Sequence, residues 1–370
     1  MTQETGLDFR SMPKIEVIMM TLRKIDHLLL YGYSPSHVAS ICSVPLHAHL
    51  TGSISRQCLH EIWKVKKAAG ETDLEDPLVV MPPGRHDYDL KTFFPLFSSY
   101  IYNLVNDLSS LEHSTKSVVR DFAKDGVVYL ELRTTPRAMP AAGLGKAGYV
   151  EAVLHAIDAA QQEAPTLHTR LILSIDRRNT LEEAREVVAL AKQFQDQGVV
   201  AIDLCGDPTK GDVSLFTPAV EEAKAAGLKV TIHFAEAEAS ASEAELNTIM
   251  GWIPDRLGHV IHVPEKIKKQ IAARRGIGLE LCLSCNVHAK MIIGSFEAHH
   301  FGEWWHVDGP VVVPCTDDVG VFGSPLSNEW RLIQEHFKLG REEIVSLTRK
   351  GIEVIFAEDD EKERLKDARW

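Results

Sequence analysis

A chain of 370 residues, 45% hydrophobic and 25% charged, has the balance of a folded globular protein with a sizeable core rather than that of a disordered one. It contains no run of about 18 uncharged apolar residues, so no membrane-spanning helix is expected, and residues 1–5 show no basic segment leading into an apolar one, so no secretory leader is expected. The net charge of -12 excludes a general basic surface for nucleic acid; a phosphorylated small molecule would need its own local cluster of cations and amides.

The expected setting is the cytoplasm, without nucleic-acid or membrane partners. The six cysteines, Cys42, Cys58, Cys205, Cys282, Cys285 and Cys315, mostly lie in or beside apolar runs, which suits buried thiols better than a disulfide framework. Cys282 and Cys285 form a CxxC, but the second pair that a zinc ribbon needs is absent.

Residues 12–40 read as helix, with Ile15, Val17, Ile18, Leu22, Ile25, Leu28 and Leu29 on a period near 3.6. Residues 43–50 read as the first strand, followed by a helix over 55–69. The acidic stretch 71–89, with Pro77, Pro82, Pro83 and Gly84, reads as an exposed loop. Two helices are then expected, over 90–105 and 109–124. The first carries an aromatic face of Phe93, Phe94, Phe97 and Tyr100, expected to pack on the core rather than line a ligand pocket.

From Gly126 onward strands and helices alternate. The strand-like runs are 127–133, 170–176, 199–205, 229–234, 256–260, 278–283 and 311–315, most of them short and rich in Val, Ile and Leu, as parallel strands covered on both faces require. Between them, a helix over 181–195 is announced by a capping box at Thr180 and Glu183 and stopped by Gly198; others run from Thr217-Pro218 to Gly227 and from Pro264 to Gly276. With the first strand this makes the strand count of a (β/α)8 TIM-type barrel, an α/β fold. No Gly/Ser linker breaks the series. Residues 1–370 are therefore expected to form one catalytic domain, with a helical segment over 1–42, barrel strands over 43–317 and C-terminal helices over 318–370.

The barrel gathers scattered residues at one mouth, where strand ends would carry His49, Arg133, Asp176, Gly206, His233, His259 and Asp317. Polar groups converging on apolar strands are costly unless something binds them. His47-Ala48-His49 places two imidazoles on one face of a strand. With His233 and Asp317 they give four N/O donors, a set that suits zinc with a further position for water. Glu236, three residues past His233, can face the pocket without ligating; partial desolvation would raise its pKa and let it donate a proton. Asp317-Asp318 offers one carboxylate to metal and a second to substrate.

The blocks His47-Ala48-His49-Leu50-Thr51-Gly52-Ser53, His233-Phe234-Ala235-Glu236, Leu257-Gly258-His259 and Thr316-Asp317-Asp318 resemble, in order and across nearly the whole chain, the signature of the adenosine/AMP deaminase family, metal-dependent hydrolases. The stretches 129–137, 173–178 and 203–208 resemble its adenosine deaminase-like branch, whose members act on N6-methyl-AMP; Thr51 departs from the asparagine frequent there. The resemblance implies one Zn2+ per chain on His47, His49, His233 and Asp317. It also implies that His259 and Asp317 orient the attacking water and accept its proton, and that Glu236 protonates purine N1. Asp318 would bond N7 and the Gly206 amide N3. Further substrate contacts are expected from His49, Thr51, Thr134, Thr135, Pro136, Arg137 and Asp176, with Arg137, then Arg177 and Arg178, as phosphate candidates.

The expected reaction is N6-methyl-AMP to IMP plus methylamine, by a protein expected to be monomeric. The alternatives are an adenosine or adenine deaminase releasing ammonia, and a barrel that has lost catalysis and binds purine only. Binuclear relatives of the barrel usually need a lysine at the end of strand four, and residues 199–206 contain none.

Overall fold

The computed structural model describes residues 43–368. The helix expected over 12–40, and Cys42, lie outside them. Among the described residues, eight strands form one parallel sheet in sequential order: β1 (Ala48–His49), β2 (Tyr129–Thr134), β3 (His168–Asp176), β4 (Val199–Cys205), β5 (Lys229–Phe234), β6 (Arg256–His259), β7 (Gly278–Leu281) and β8 (Val311–Pro314). The two edges meet at a parallel bridge between Ala48 and Asp317. There the Asp317 amide donates to the His47 carbonyl at 2.9 Å and the His49 amide to the Asp317 carbonyl at 3.0 Å. The expected barrel is thus formed, and its seam closes on the residues singled out for the site.

Helices cover the outside, so β2 is buried along its whole length and β3, β4 and β5 nearly so. The interior is not wholly apolar. Glu131, Arg133, Asp203, Arg256 and Glu280 have no exposed surface. Arg256 pairs with Glu131 and, at 2.6 Å, with Glu280, while Arg133 meets Glu280 at 2.8 Å and Asp203 at 3.3 Å. β2 and β6 are not neighbours in the sheet, so these contacts cross the barrel. No described helix is long and apolar enough to cross a membrane.

Several local expectations are corrected. The run 43–50 pairs as a strand only over Ala48–His49, beside an isolated bridge between Ser43 and Val127; Pro45 has no N–H to give, and the carbonyls of Ser43 and Pro45 accept from the amides of Val128 and Glu131. The stretch 71–89 is not all exposed loop. Pro77–Val80 is a helical turn capped by Asp76, and Met81 and Tyr88 are buried. Arg56 ties the stretch down by donating to the carbonyls of Pro82, Arg85 and Val321. The run 278–283 stops as strand at Leu281, because Leu283–His288 turns into a largely buried helix that the apolar residues Leu281, Cys282 and Leu283 do not announce. The helix over 90–105 is α-helical over Leu90–Leu96, π-helical over Phe97–Ile101 and α-helical again over Tyr102–Leu104. The wide turn splits its aromatic face. Tyr100 is buried, Phe93 stacks on Phe322 at 5.6 Å, and Phe93, Phe94, Phe97 and Tyr102 also wall a cavity. The capping box at Thr180 and Glu183 is present as expected. Cys58, Cys205, Cys282, Cys285 and Cys315 are buried free thiols.

Candidate active site

At the mouth of the barrel lies a cavity of about 220 Å³ whose wall includes His49, Thr51, Thr134, Thr135, Arg137, Asp176, Gly206, His233, Glu236, Asp317 and Asp318. His47 and His259 have no exposed surface and their rings pack against His49 and His233 in the floor, with centroids 4.6 to 5.3 Å apart. Pro136 is buried off the wall. All the expected site residues except Pro136 and Arg177 therefore meet in one place, drawn from the ends of seven strands.

Ligating atoms of His47, His233, His259 and Asp317 all lie within 4.8 Å of one another. The fifth group, His49, belongs to the same cluster: its Nε2 is 3.1 Å from Nε2 of His233 and 3.3 Å from Oδ1 of Asp317. Oδ1 of Asp317 is also 3.4 Å from Nε2 of His47. Behind the cluster, Nδ1 of His47 meets Glu280 at 2.8 Å and Nδ1 of His233 meets Asp203 at 3.0 Å. A carboxylate only accepts, so both rings carry their proton on Nδ1 and turn an Nε2 lone pair to the centre. Nε2 of His47, although buried, has no hydrogen-bond partner among the described residues. Burial pushes His49 down to about 3 and His259 well below its ordinary value, so both imidazoles are neutral. Burial and Arg133 oppose charge on His47, but Asp317 and Glu280 outweigh them and raise its pKa. Burial disfavours the Asp317 carboxylate, yet the neighbouring histidines hold its pKa well below normal. A neutral His49 imidazole, an ionised carboxylate and the orphaned buried Nε2 of His47 fit a bound metal cation.

Across from the cluster stands Glu236, with Oε1 3.8 Å from Nε2 of His259. Burial is the main reason its pKa rises to about 7 from the ordinary 4.5. It leaves β5 through Ala235, whose φ of 50° turns the chain sharply; His259 (64°) and Asp317 (61°) bend the ends of β6 and β8 in the same left-handed way. Three non-glycine residues in that region within one site mark backbone strain concentrated where the chemistry sits. Asp318 is buried, and burial with the nearby Asp317 and Glu236 raises its pKa well above the carboxylate range; its Oδ1 has no partner. It is therefore a neutral acid able to donate. Gly52 leaves room for it, since a Cβ there would fall 1.4 Å from Asp318 Oδ1.

The three arginines separate clearly. Arg177 is buried in a pair with Glu245 at 2.8 Å, off the cavity wall, and Arg178 clasps Asp176 through Nε at 2.8 Å and Nη2 at 2.5 Å. Arg137 has no carboxylate partner among the described residues. Its guanidinium lies 4.6 Å over the Tyr102 ring, one Nη2 bond goes to the Val105 carbonyl, and its buried Nε is unpaired. Sequence reasoning missed Glu280, Asn286 and Cys285. Glu280 was signalled by a lone acid between Leu279 and Leu281. Asn286 bonds His259 at 3.0 Å and the Cys285 thiol donates to Asp317 Oδ2 at 2.8 Å, but both lie on the helix Leu283–His288, which the reading of 278–283 as strand does not anticipate.

The adenosine deaminase family model matches residues 43–368. The chain is 35% identical over 350 residues to an Arabidopsis thaliana protein named N6-mAMP deaminase, covering 89% of this chain and 96% of that one. It is also 35% identical over 331 residues to the Homo sapiens N6-methyl-AMP deaminase, covering 87% and 91%. The fold superposes on a crystal structure of Arabidopsis ADAL complexed with IMP with a TM-score of 0.82, at 36% identity over 89% of this chain and 96% of that chain. On sequence, fold and the side chains gathered at the barrel mouth together, the chain belongs to the adenosine deaminase family.

Proposed function

We propose that the chain is a hydrolytic deaminase acting at C6 of a purine 5′-nucleotide, converting N6-methyl-AMP and water to IMP and methylamine, with one zinc ion on His47, His49, His233 and Asp317. When bound, zinc would supply a water acidified enough to attack at neutral pH. The observation that carries the reading is Glu236, a buried carboxyl that keeps its proton up to about pH 7 and stands 3.8 Å from the histidine floor. Its proton goes to N1, which draws electrons from C6 and opens that carbon to attack. The water oxygen bonds to C6, the bond from C6 to N6 breaks, and the amine leaves. One proton of the water ends on N1, by way of Glu236, and the other on the departing nitrogen.

His259 and Asp317 hold the water against the face of the ring. A purine N7 has only a lone pair to offer, so a neutral Asp318 is the form that can bond it, and the Gly206 amide serves N3. Arg137, with the hydroxyls of Thr134 and Thr135, forms the anion site that selects a nucleotide; a guanidinium without a carboxylate is available to phosphate, as the clasped Arg178 is not. The names of the relatives, N6-mAMP deaminase and N6-methyl-AMP deaminase, support reading the methylated nucleotide as the substrate of this chain.

The test is to incubate the purified protein with N6-methyl-AMP, AMP, N6-methyladenosine and adenosine, with and without chelator, and to follow the 6-oxo product. Activity greatest on N6-methyl-AMP, lost on chelation and accompanied by one zinc per chain in elemental analysis, is expected. A charge-assisted phosphate contact contributes roughly 1.5 to 3 kcal/mol, so Arg137→Ala should lower kcat/KM for the nucleotide by about 10- to 150-fold and leave nucleoside turnover alone. Equal kcat/KM for N6-methyladenosine and its monophosphate would return the reading to a nucleoside deaminase.

A further inference from the structure

His47 and His233 turn a lone pair to the centre because carboxylates hold their second nitrogens. His259 differs. Its Nδ1 lies 3.0 Å from Nδ2 of Asn286, and the direction of that bond is set from further away. The backbone N–H of Phe301 can only donate, and it points at Nδ1 of His299 at 3.0 Å. His299 must then carry its proton on Nε2, which faces Oδ1 of Asn286 at 3.1 Å. With its oxygen engaged, Asn286 presents its amino group to His259, and the same nitrogen sits 3.6 Å from the weakly accepting Met291 sulfur. His259 therefore accepts at Nδ1 and holds its proton on Nε2, which is buried without a hydrogen-bond partner among the described residues, 3.8 Å from Glu236 Oε1 and 3.9 Å from Asp317 Oδ2.

We propose that His299 is a positioning residue that sets, through Asn286, the tautomer of His259, and so makes that ring a hydrogen-bond donor aimed between Glu236 and Asp317 rather than a metal ligand. The consequence for the reaction rests on the deaminase reading above. A ring with a proton on Nε2 and an occupied Nδ1 orients the attacking water but does not take its proton, which passes to a carboxylate of the site. This also picks His49 over His259 as the partner of His47, His233 and Asp317 in holding metal. All three residues of the relay, His259, Asn286 and His299, are buried, so water does not compete for these bonds.

Nitrogen NMR on protein labelled at histidine reads the tautomer directly, in metal-free and zinc-loaded samples, without any substrate. In the wild type the His259 proton is expected on Nε2 in both states. Asn286→Asp puts an acceptor of the same shape behind the ring and should move the proton to Nδ1, with kcat falling by about 100-fold or more at little change in KM. His299→Leu removes the donor that fixes the amide and should give a mixture of tautomers, whereas His299→Gln retains a donor and should restore the wild-type signal. A wild-type His259 protonated on Nδ1 overturns the proposal, as does a His259 signal that stays unchanged in His299→Leu. Because the wild-type spectrum alone decides the tautomer, the proposal does not depend on every variant folding, and it can fail while the deaminase assay succeeds.

Discussion

Glu236 is a test of how far a single desolvated group controls both chemistry and stability. Glu236→Gln keeps the shape and removes the proton, so zinc content should persist in elemental analysis while kcat drops by roughly 10² or more, the usual scale of a general acid. Loss of zinc in that variant would instead make Glu236 a ligand. In the metal-free protein the same carboxyl has a signature in stability. Its native pKa of about 7 exceeds the ordinary 4.5, so the native state holds the extra proton; stability falls as pH rises from about 4.5 and levels off above about 7. The full difference corresponds to about 3 kcal/mol. Denaturant unfolding at pH 5 and pH 8 should show metal-free wild type losing ground to metal-free Glu236→Gln between the two, and parallel behaviour would contradict the burial argument. At this scale the sequence was informative wherever a polar residue ended an apolar strand, as His233, His259 and Asp317 do. It was silent on partners, because His47 and Glu280, 233 residues apart, meet only once the barrel closes.

Elements matter here mainly through how closely two loops can approach. The loop after β1 and the loop after β8 interlock: the Gly320 amide donates to the Gly52 carbonyl at 2.8 Å, and Arg56 donates to the Gly320 carbonyl at 3.3 Å. Neither glycine has space for a side chain, since a Cβ on Gly320 would fall 2.0 Å from the Ile54 carbonyl oxygen. Gly52→Ala should push the Asp318 carboxyl aside while leaving the metal donors in place. Loss of a buried hydrogen bond of about 1 to 3 kcal/mol corresponds to a fall in kcat/KM of roughly 5- to 150-fold at unchanged zinc content, and an unaffected kcat/KM would remove Asp318 from substrate binding. Periodicity found the long strands β3, β4 and β5 and the capped helix Leu181–Gln193. It failed where an apolar run changed from strand to helix at Leu283, and where a π-turn rotated an aromatic face toward the cavity, because neither event alters the apolar pattern itself.

At the scale of the whole molecule, the barrel interior combines a floor of paired charge with the site above it. Glu280 touches His47, Arg133, Thr231 and Arg256 through its two oxygens, at 2.6 to 2.8 Å. Its pKa lies well below the usual carboxylate range because the two guanidiniums outweigh the cost of burial. Glu280→Ala leaves both arginines buried without this partner, so a loss of about 3 to 5 kcal/mol in urea unfolding is expected, along with weaker zinc retention as His47 loses its orienting acceptor. A change below about 1 kcal/mol would show that the floor is dispensable.

The bridge between Ala48 and Asp317 gives the proposed metal donors a second role, as the clasp of the barrel. Opening the seam separates His47 and His49 from Asp317, so a cation held by all three resists that opening in proportion to how tightly it binds. At a free zinc concentration about 100 times the dissociation constant, the linkage amounts to roughly 2.7 kcal/mol, or about 100-fold in the population of the open form. Hydrogen exchange would register this at two amides, those of His49 and Asp317, whose bonds cross the seam. Their exchange should slow by about that factor on adding zinc, while amides that exchange by fraying at exposed helix ends keep one rate throughout. A metal site built into a catalytic mouth would then also govern how the sheet breathes.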